Sequence, residues 1–590
     1  MLKQIAAQRL EPMLEMSGYD IERALEIPPQ SELGDLAFPC FPLAKQWKRA
    51  PQQIAGELVE RINQNSDASR IHAVASGGYV NLFFDKDFYG ETCLGRMLEP
   101  TFGRLADGSG QRVVIDMSSP NIAKPFSVGH LRSTVIGNAL AHLYEAAGYE
   151  VVKVNHLGDW GTQFGKLITA YKLWGNDETL RQDPIRESLK LYVRFHEEAA
   201  QQPELEDEAR EWFRKLEAGD TETVQLWTYF VDASMIEFNR MYERLGIRFD
   251  YFLGESFYND KMDQVVARLQ ELDLLEESDG AMVVRLEDKG MPPCLILKSN
   301  GTTIYPTRDL ATAIYRKEVM KADKLIYVVG AEQQLHFQQV FAVLGKMGYE
   351  WAEQCEHVPF GLMTFEGKKM STRKGKVIFL DEVLNEAENR ALQIIEDKNP
   401  SLPDKGAVAS QVGIGAIIFD DLKSSRMLSV DFSLEEALRY EGETGPYVQF
   451  TLVRAKSLLM KGGLESQPDS ASASEINATA RNSADSCMAH LRQMPEAAGN
   501  WKMSPEAWAC IKSISKYERS LQQALASNEP SIFARYILDA AKQFNRFYHQ
   551  EQILVENALE RQMKLRIVAV VARVLQEGLE KLGIQAPAHM

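Results

Sequence analysis

The stretch from residue 112 to 155 constrains the fold more than any other part of the chain. Arg112-Val-Val-Ile-Asp-Met117 is short and mostly apolar, enough for one strand buried on both faces. Ser118-Ser-Pro-Asn121 breaks it. Val128, Leu131, Val135, Ile136, Ala139, Leu140 and Leu143 then recur at helical spacing and give one apolar face. Gly148 stands where that helix should stop, and Glu150-Val-Val-Lys-Val154 reads as the next strand. Strand, crossover helix and strand make a βαβ unit, which belongs to a parallel sheet with its ligand crevice at the carboxyl ends of the strands. Asp116 and Asn121 fall there, and Ser127-Val-Gly-His130 sits at the mouth of the helix.

The whole chain, at 590 residues, is long enough for three or four domains. Its six cysteines are scattered without a Cys-x-x-Cys pair, which predicts a reducing, cytoplasmic setting and no zinc knuckle. The amino terminus lacks the apolar core of a signal peptide, and no apolar run approaches membrane-spanning length. A net charge of −17 argues against non-specific binding to nucleic acid, but a local basic surface can still dock phosphates.

In chain order, two helical stretches flank a turn-rich loop at 28–39. Ile71 to Phe84 reads as two strands joined at Gly77-Gly78. Together these make a small α+β module over residues 1–108. A nucleotide-binding parallel sheet is expected over 109–385, interrupted by a largely helical insertion at about 166–300. Two features close the polar end of that sheet: Tyr305-Pro-Thr-Arg-Asp309, before a helix expected near Leu310, and the turn after Lys324-Leu-Ile-Tyr-Val-Val329. Glu366 to Gly375 is a glycine-bounded basic loop. Helical segments follow as a connection at 386–439 and an all-helical domain at 440–590.

Two elements suit a polyanion. Ser127-Val-Gly-His130 offers free N–H groups at a helix mouth, with Gly129 permitting close approach, and Lys369-Met-Ser-Thr-Arg-Lys374 offers cations. In this order and at this separation, the pair resembles the HIGH and KMSKS signatures of class I aminoacyl-tRNA synthetases. Ser118 to Phe126, Asn155-His-Leu-Gly-Asp-Trp-Gly161, Tyr305 to Asp309, Met370 to Gly375 and Glu441-Gly-Glu-Thr-Gly-Pro-Tyr447 are similar to arginyl-tRNA synthetases in particular.

The resemblance implies a Rossmann-type catalytic domain, a tRNA-elbow module in front and a helical anticodon-binding domain behind. It implies that arginine and ATP, with Mg²⁺, form arginyl-adenylate and pyrophosphate, after which arginine passes to tRNA, and that activation needs tRNA. The ATP site would use Lys124, Ser127, Gly129, His130, Lys369, Met370, Ser371, Arg373 and Lys374. The arginine pocket would use Asp116, Asn121, His130, Tyr305, Asp309 and Gln333. Tyr79 and Asn81 would touch the elbow, and Tyr447, Phe450 and Arg454 the anticodon side. A monomer without a tightly bound cofactor is expected.

Two departures matter: Ser127 replaces the first histidine of HIGH, and Thr372 the second lysine of KMSKS. The missing charge falls to Lys124 or to Arg373. Asp116 and Asp309 suit a guanidinium, which is best held by carboxylates; a helix cap or a structural ion pair is the competing role for each. Three other functions stay open. A tRNA-free nucleotidyltransferase would not need the long helical carboxyl half. A synthetase for another amino acid would want zinc clusters or a cationic pocket. A non-enzymatic tRNA-binding paralogue is favoured only by Ser127 and Thr372.

Overall fold

The computed structural model describes residues 1–64, 70–299, 301–365, 378–464, 488–489, 491–492 and 502–590. The basic loop and most of the Gly/Ser-rich stretch after Gly462 lie outside them. The chain divides into two compact units. One holds residues 1–103, 451–520 and 536–577; the other holds 104–450, 521–535 and 578–590.

In the first unit, β2 (Ile71–Ser76) and β3 (Tyr79–Phe84) form the expected hairpin, and β1 (Leu36–Pro39) pairs antiparallel with β3. Gly77 takes the turn at φ 56°. The helix Pro51–Asn63 buries Ile54, Ala55, Leu58 and Ile62, spaced at three to four residues as one apolar face requires. Helices from the carboxyl half belong to the same unit. Asp35 accepts from Trp508 Nε1 (2.9 Å) and Lys512 Nζ (2.7 Å) on one oxygen and from the Phe84 amide (2.9 Å) on the other. Arg573 donates to the carbonyls of Glu99 (2.8 Å) and Phe102 (3.0 Å). The compact unit thus joins parts of the stretches expected as separate modules at 1–108 and 440–590.

The second unit is built on five parallel strands. These are β4 (Arg112–Asp116), β5 (Glu150–Asn155), β6 (Tyr251–Phe252), β10 (Lys324–Gly330) and β11 (Cys355–Phe360), in the order β11-β10-β4-β5-β6. Three short antiparallel strands lie between β6 and β10: β7 (Glu276–Ser278), β8 (Ala281–Val284) and β9 (Cys294–Leu297). β12 (Met363–Phe365) pairs with β13 (Val430–Phe432). The crossover helix α1 (Val128–Ala146) joins β4 to β5 as the apolar spacing predicts. The strand order reverses between β4 and β10, so the crevice opens where Asp116 and Gly330 end their strands.

Two differences from expectation bear on the site. The stretch expected as an insertion supplies the edge strand β6 as well as the long helix α2 (Thr221–Leu245). The helix α3 (Tyr305–Glu318) starts at Tyr305, not near Leu310, because Pro306 fits the first turn of a helix, where no amide partner is needed. Tyr305 and Asp309 are therefore four residues apart on one helical face. The helix α4 (Gln334–Lys346) follows β10, and α5 (Leu380–Lys398) begins just after the basic loop. Among the described residues, no helix is long and apolar enough to cross a membrane.

Candidate active site

The crevice has a wall on α3. Asp309 Oδ2 lies 2.5 Å from His336 Nε2, which stands in the first turn of α4. Tyr305, one turn earlier, is 64% exposed. Beside them Glu255 follows β6, and its carboxylate lies 3.2 Å from Arg308. Burial pushes the Glu255 carboxyl up to about 7; Arg308 opposes that rise, and the charges of Asp309 and Asp159 add to it. Asp159 holds the turn in place by accepting from the Ser256 amide (2.8 Å) and hydroxyl (2.6 Å). Gln333 lies exposed at the end of the turn after β10, next to β4 in the sheet.

Asp116 stands differently. It is buried, with Oδ2 2.8 Å from Arg316 Nη2 on α3 and Oδ1 accepting from Ser119 Oγ at 2.9 Å. The carboxylate expected to take a substrate guanidinium already holds one from its own chain. Asn121 lies beside Gly158: Ile122 N donates to the Gly158 carbonyl (3.1 Å), and Gly158 N to the Pro120 carbonyl (3.0 Å). A Cβ on Gly158 would come within 2.6 Å of Asn121 Oδ1, so any larger residue there displaces the Asn121 amide.

At the helix mouth, His130 Nδ1 accepts the Ser127 amide at 3.1 Å. Burial first, and the Lys124 charge second, lower the His130 imidazole to about 4. The ring is neutral at pH 7, and because Nδ1 accepts, its proton sits on Nε2. His130 is a hydrogen-bond donor rather than a cation. Phe126 packs on this ring (5.3 Å between centroids) and on Phe238 and Tyr242 of α2. Gly129 is exposed, and Lys124 Nζ lies 5.6 Å from the centre of the Tyr192 ring. The chain leaving the basic loop returns here: Val128 N donates to the Ile378 carbonyl (3.3 Å) and Leu380 N to the Phe126 carbonyl (3.0 Å). Lys369, Met370, Ser371, Arg373 and Lys374 lie outside the described residues.

A helix mouth suited to phosphate and an acidic, aromatic wall thus both stand at the carboxyl end of the parallel sheet. Three family models match the chain in sequence. That for "tRNA synthetases class I (R), catalytic domain" matches residues 98–434, more than half of the chain. The "Arginyl tRNA synthetase N terminal domain" matches 1–84, and the "DALR anticodon binding domain" 448–590. Arginine–tRNA ligase 1 of Bacillus thuringiensis subsp. konkukian is 50% identical over 578 residues, 98% of this chain and 97% of that one. The Exiguobacterium sibiricum ligase is 48% identical, with both chains covered completely. The chain belongs to the arginyl-tRNA synthetase family. The Thermus thermophilus arginyl-tRNA synthetase superposes with a TM-score of 0.78 at 27% identity, covering 100% of this chain and 99% of that one.

Three residues packed against the candidate site, Glu255, His336 and Arg316, carry no local signal that marks them as site residues in the sequence. Glu255 follows a two-residue strand that leaves no periodic signal. His336 was visible as a polar group after β10 but had no partner until α3 and α4 were placed. Of the tRNA candidates, Tyr79 packs edge-on against Phe41 at 5.2 Å, and Asn81 is only 5% exposed. Arg454 bonds Asn545 and lies 4.7 Å from the centre of the Tyr548 ring. Tyr447 and Phe450 share the helix Gly445–Lys461, where Phe450 is exposed and faces Tyr440 at 6.5 Å.

Proposed function

We propose that this arginine–tRNA ligase binds the arginine side chain between Asp309 and Glu255 under Tyr305, with ATP at the mouth of α1. The observation that carries the reading is the acidic wall of Asp309 and Glu255 beside an exposed aromatic ring. Two carboxylates suit a guanidinium through charge-assisted hydrogen bonds, and an aromatic face suits its alkyl stem or its cation. Asn121 and Gln333 are the proposed partners of the amino and carboxylate groups of the substrate. Asp116, paired with Arg316 and Ser119, supports α3 in this reading rather than holding the substrate guanidinium.

In the first step the arginine carboxylate attacks the α-phosphorus of ATP, and the bond to the pyrophosphate oxygen breaks. A carboxylate needs no base to become a nucleophile. The task of the protein is to hold the reactants in line and stabilise the charge that spreads over the phosphate oxygens. The exposed backbone at Gly129, His130 Nε2–H and Lys124 suit that task, with the loop at 369–374 as a further source of cations. In the second step the terminal ribose hydroxyl of tRNA attacks the adenylate carbonyl and AMP leaves. Mg²⁺ is expected with ATP. No group of three or more His, Cys, Asp or Glu side chains that could hold a metal occurs among the described residues, and no step here runs through one. Tyr79, Tyr447, Phe450 and Arg454 remain the proposed tRNA contacts, whereas the burial of Asn81 in the central strand of its sheet removes it from that set, and a monomer is the proposed state.

Pyrophosphate exchange with each amino acid, with and without tRNA, tests the reading. Exchange with arginine alone among the amino acids, and only when tRNA is present, is expected. Exchange with lysine or citrulline at comparable rates overturns the pocket.

A further inference from the structure

The segment between β4 and α1 carries three non-glycine residues in the left-handed region: Ser118 (φ 74°), Ser119 (φ 49°) and Ala123 (φ 59°). L side chains disfavour this conformation, and a chain keeps it only where its surroundings enforce it. Some of the enforcement comes from the sheet and from α1. Ser118 N donates to Ser133 Oγ (2.9 Å), Ser119 N to Asn155 Oδ1 (3.2 Å), and Ser119 Oγ to Asp116.

The rest comes from α2, inside the stretch read from sequence as an insertion. Ala123 N donates to Ser234 Oγ at 2.9 Å, and Ser234 is fully buried. Tyr242 Oη accepts from Asn155 Nδ2 at 2.8 Å and lies 2.8 Å from Ser118 Oγ. Thr134 Oγ1 lies 2.9 Å from Ser118 Oγ and 2.7 Å from the His130 carbonyl. The carbonyl can only accept, so the one hydroxyl hydrogen of Thr134 goes to it. Ser118 then donates to Thr134 and accepts from Tyr242. The bonds run in one direction, from Asn155 through Tyr242, Ser118 and Thr134 to the backbone of His130.

We propose that Ser234 and Tyr242 of α2 are positioning residues for arginine activation: they lock 118–123 in its left-handed turns and so set Asn121 and Lys124 toward the reactants. The proposal rests on the reading of Asn121 and Lys124 given above. The helical insertion is then part of the catalytic frame.

The test uses the full-length enzyme, with pyrophosphate exchange in the presence of tRNA, tRNA binding and melting curves. Ser234→Ala removes the bond to Ala123 and is expected to lower kcat about 10-fold, the worth of one buried hydrogen bond, with tRNA affinity unchanged. Adding Ala123→Gly to it is expected to recover most of that loss, because glycine takes a positive φ without the penalty. Tyr242→Phe, which keeps the ring, is expected to lower kcat likewise; if it fails to fold, the Ser234 pair decides. A Ser234→Ala enzyme with kcat within about 2-fold of wild type, or a double variant no better than the single one, overturns the proposal. Asn121→Ala and Lys124→Ala run alongside. Wild-type kcat in both overturns the reading of the loop instead, and that result is distinct from a failure of Ser234 and Tyr242 to matter.

Discussion

Replacing Glu255 by Gln removes the pocket carboxylate whose ionisation the fold opposes most. An ordinary glutamate ionises near 4.5, and Glu255 near 7 because it is buried. Between these values the native state keeps a proton that the unfolded chain has released, so stability falls as pH rises and levels off above 7. Each pH unit in that window costs about 1.4 kcal/mol, and the window therefore withdraws about 3 kcal/mol from the wild-type protein. The Glu255→Gln variant has no such slope. In ligand-free melting curves taken from pH 4.5 to 8.5, the variant should gain on wild type up to pH 7 and hold its lead above that. At roughly 2 °C per kcal/mol, the widening is about 6 °C. The stability has a functional counterpart: loss of one charge-assisted bond to the substrate should raise the KM for arginine about 10- to 100-fold. For wild type, the KM for arginine should fall as pH rises towards 7, while the variant shows no such trend. A melting difference that is the same at pH 5 and pH 8.5 would refute the assignment of a buried, high-pKa carboxylate, and a wild-type KM for arginine independent of pH would refute its contact with substrate.

Asp309→Ala should reduce arginine activation at least about 100-fold while tRNA affinity, measured by filter binding, stays within about 2-fold; normal arginylation by this variant sinks the pocket. Lys124→Ala and Arg373→Ala decide which residue replaces the lysine absent at Thr372. The greater fall in kcat for pyrophosphate exchange should belong to Lys124→Ala, and the reverse order would hand the role to Arg373. Arg316→Met strands the Asp116 carboxylate in the core and should cost about 3–5 kcal/mol in urea unfolding, without a selective rise in the KM for arginine. A stable variant with only a raised KM would return Asp116 to the pocket.

The β4–α1–β5 unit was legible because its signals are local: one apolar run, one 3.6-residue stripe, a stop at Gly148, and a second run. The same holds for the hairpin around Gly77. Ser127, His130, Tyr305 and Asp309 could be placed at the site because motif spacing marks them. Other features were not legible. Arg316 meets Asp116 across 200 positions of chain, and no local pattern announces such a pair. β6 is two residues long, so Glu255 had no strand to end. The start of α3 turned on whether Pro306 breaks a helix or opens one, and both readings fit the same residues until the neighbouring strand is in place. The neutral state of His130 follows from its burial and from Lys124, which the motif alone does not reveal.

The Asp116–Arg316 pair is sealed, whereas Asp309, against His336, keeps 22% of its side chain exposed and Glu255, against Arg308, keeps 15%, so the proposed pocket offers guanidinium a second, more accessible kind of acid. The denaturant guanidinium chloride carries the head group of the substrate. On the proposed pocket it should, at low concentration, bind at Asp309 and Glu255 and stabilise the native state by mass action, and only at high concentration unfold the chain. An unfolding curve in this salt therefore adds occupancy to denaturation, with curvature that belongs to the pocket and not to the fold. Urea, which is uncharged, separates the two. The difference between the two curves at low denaturant is then a measure of how well an amino-acid site reads the cationic end of its substrate with the rest of that substrate removed.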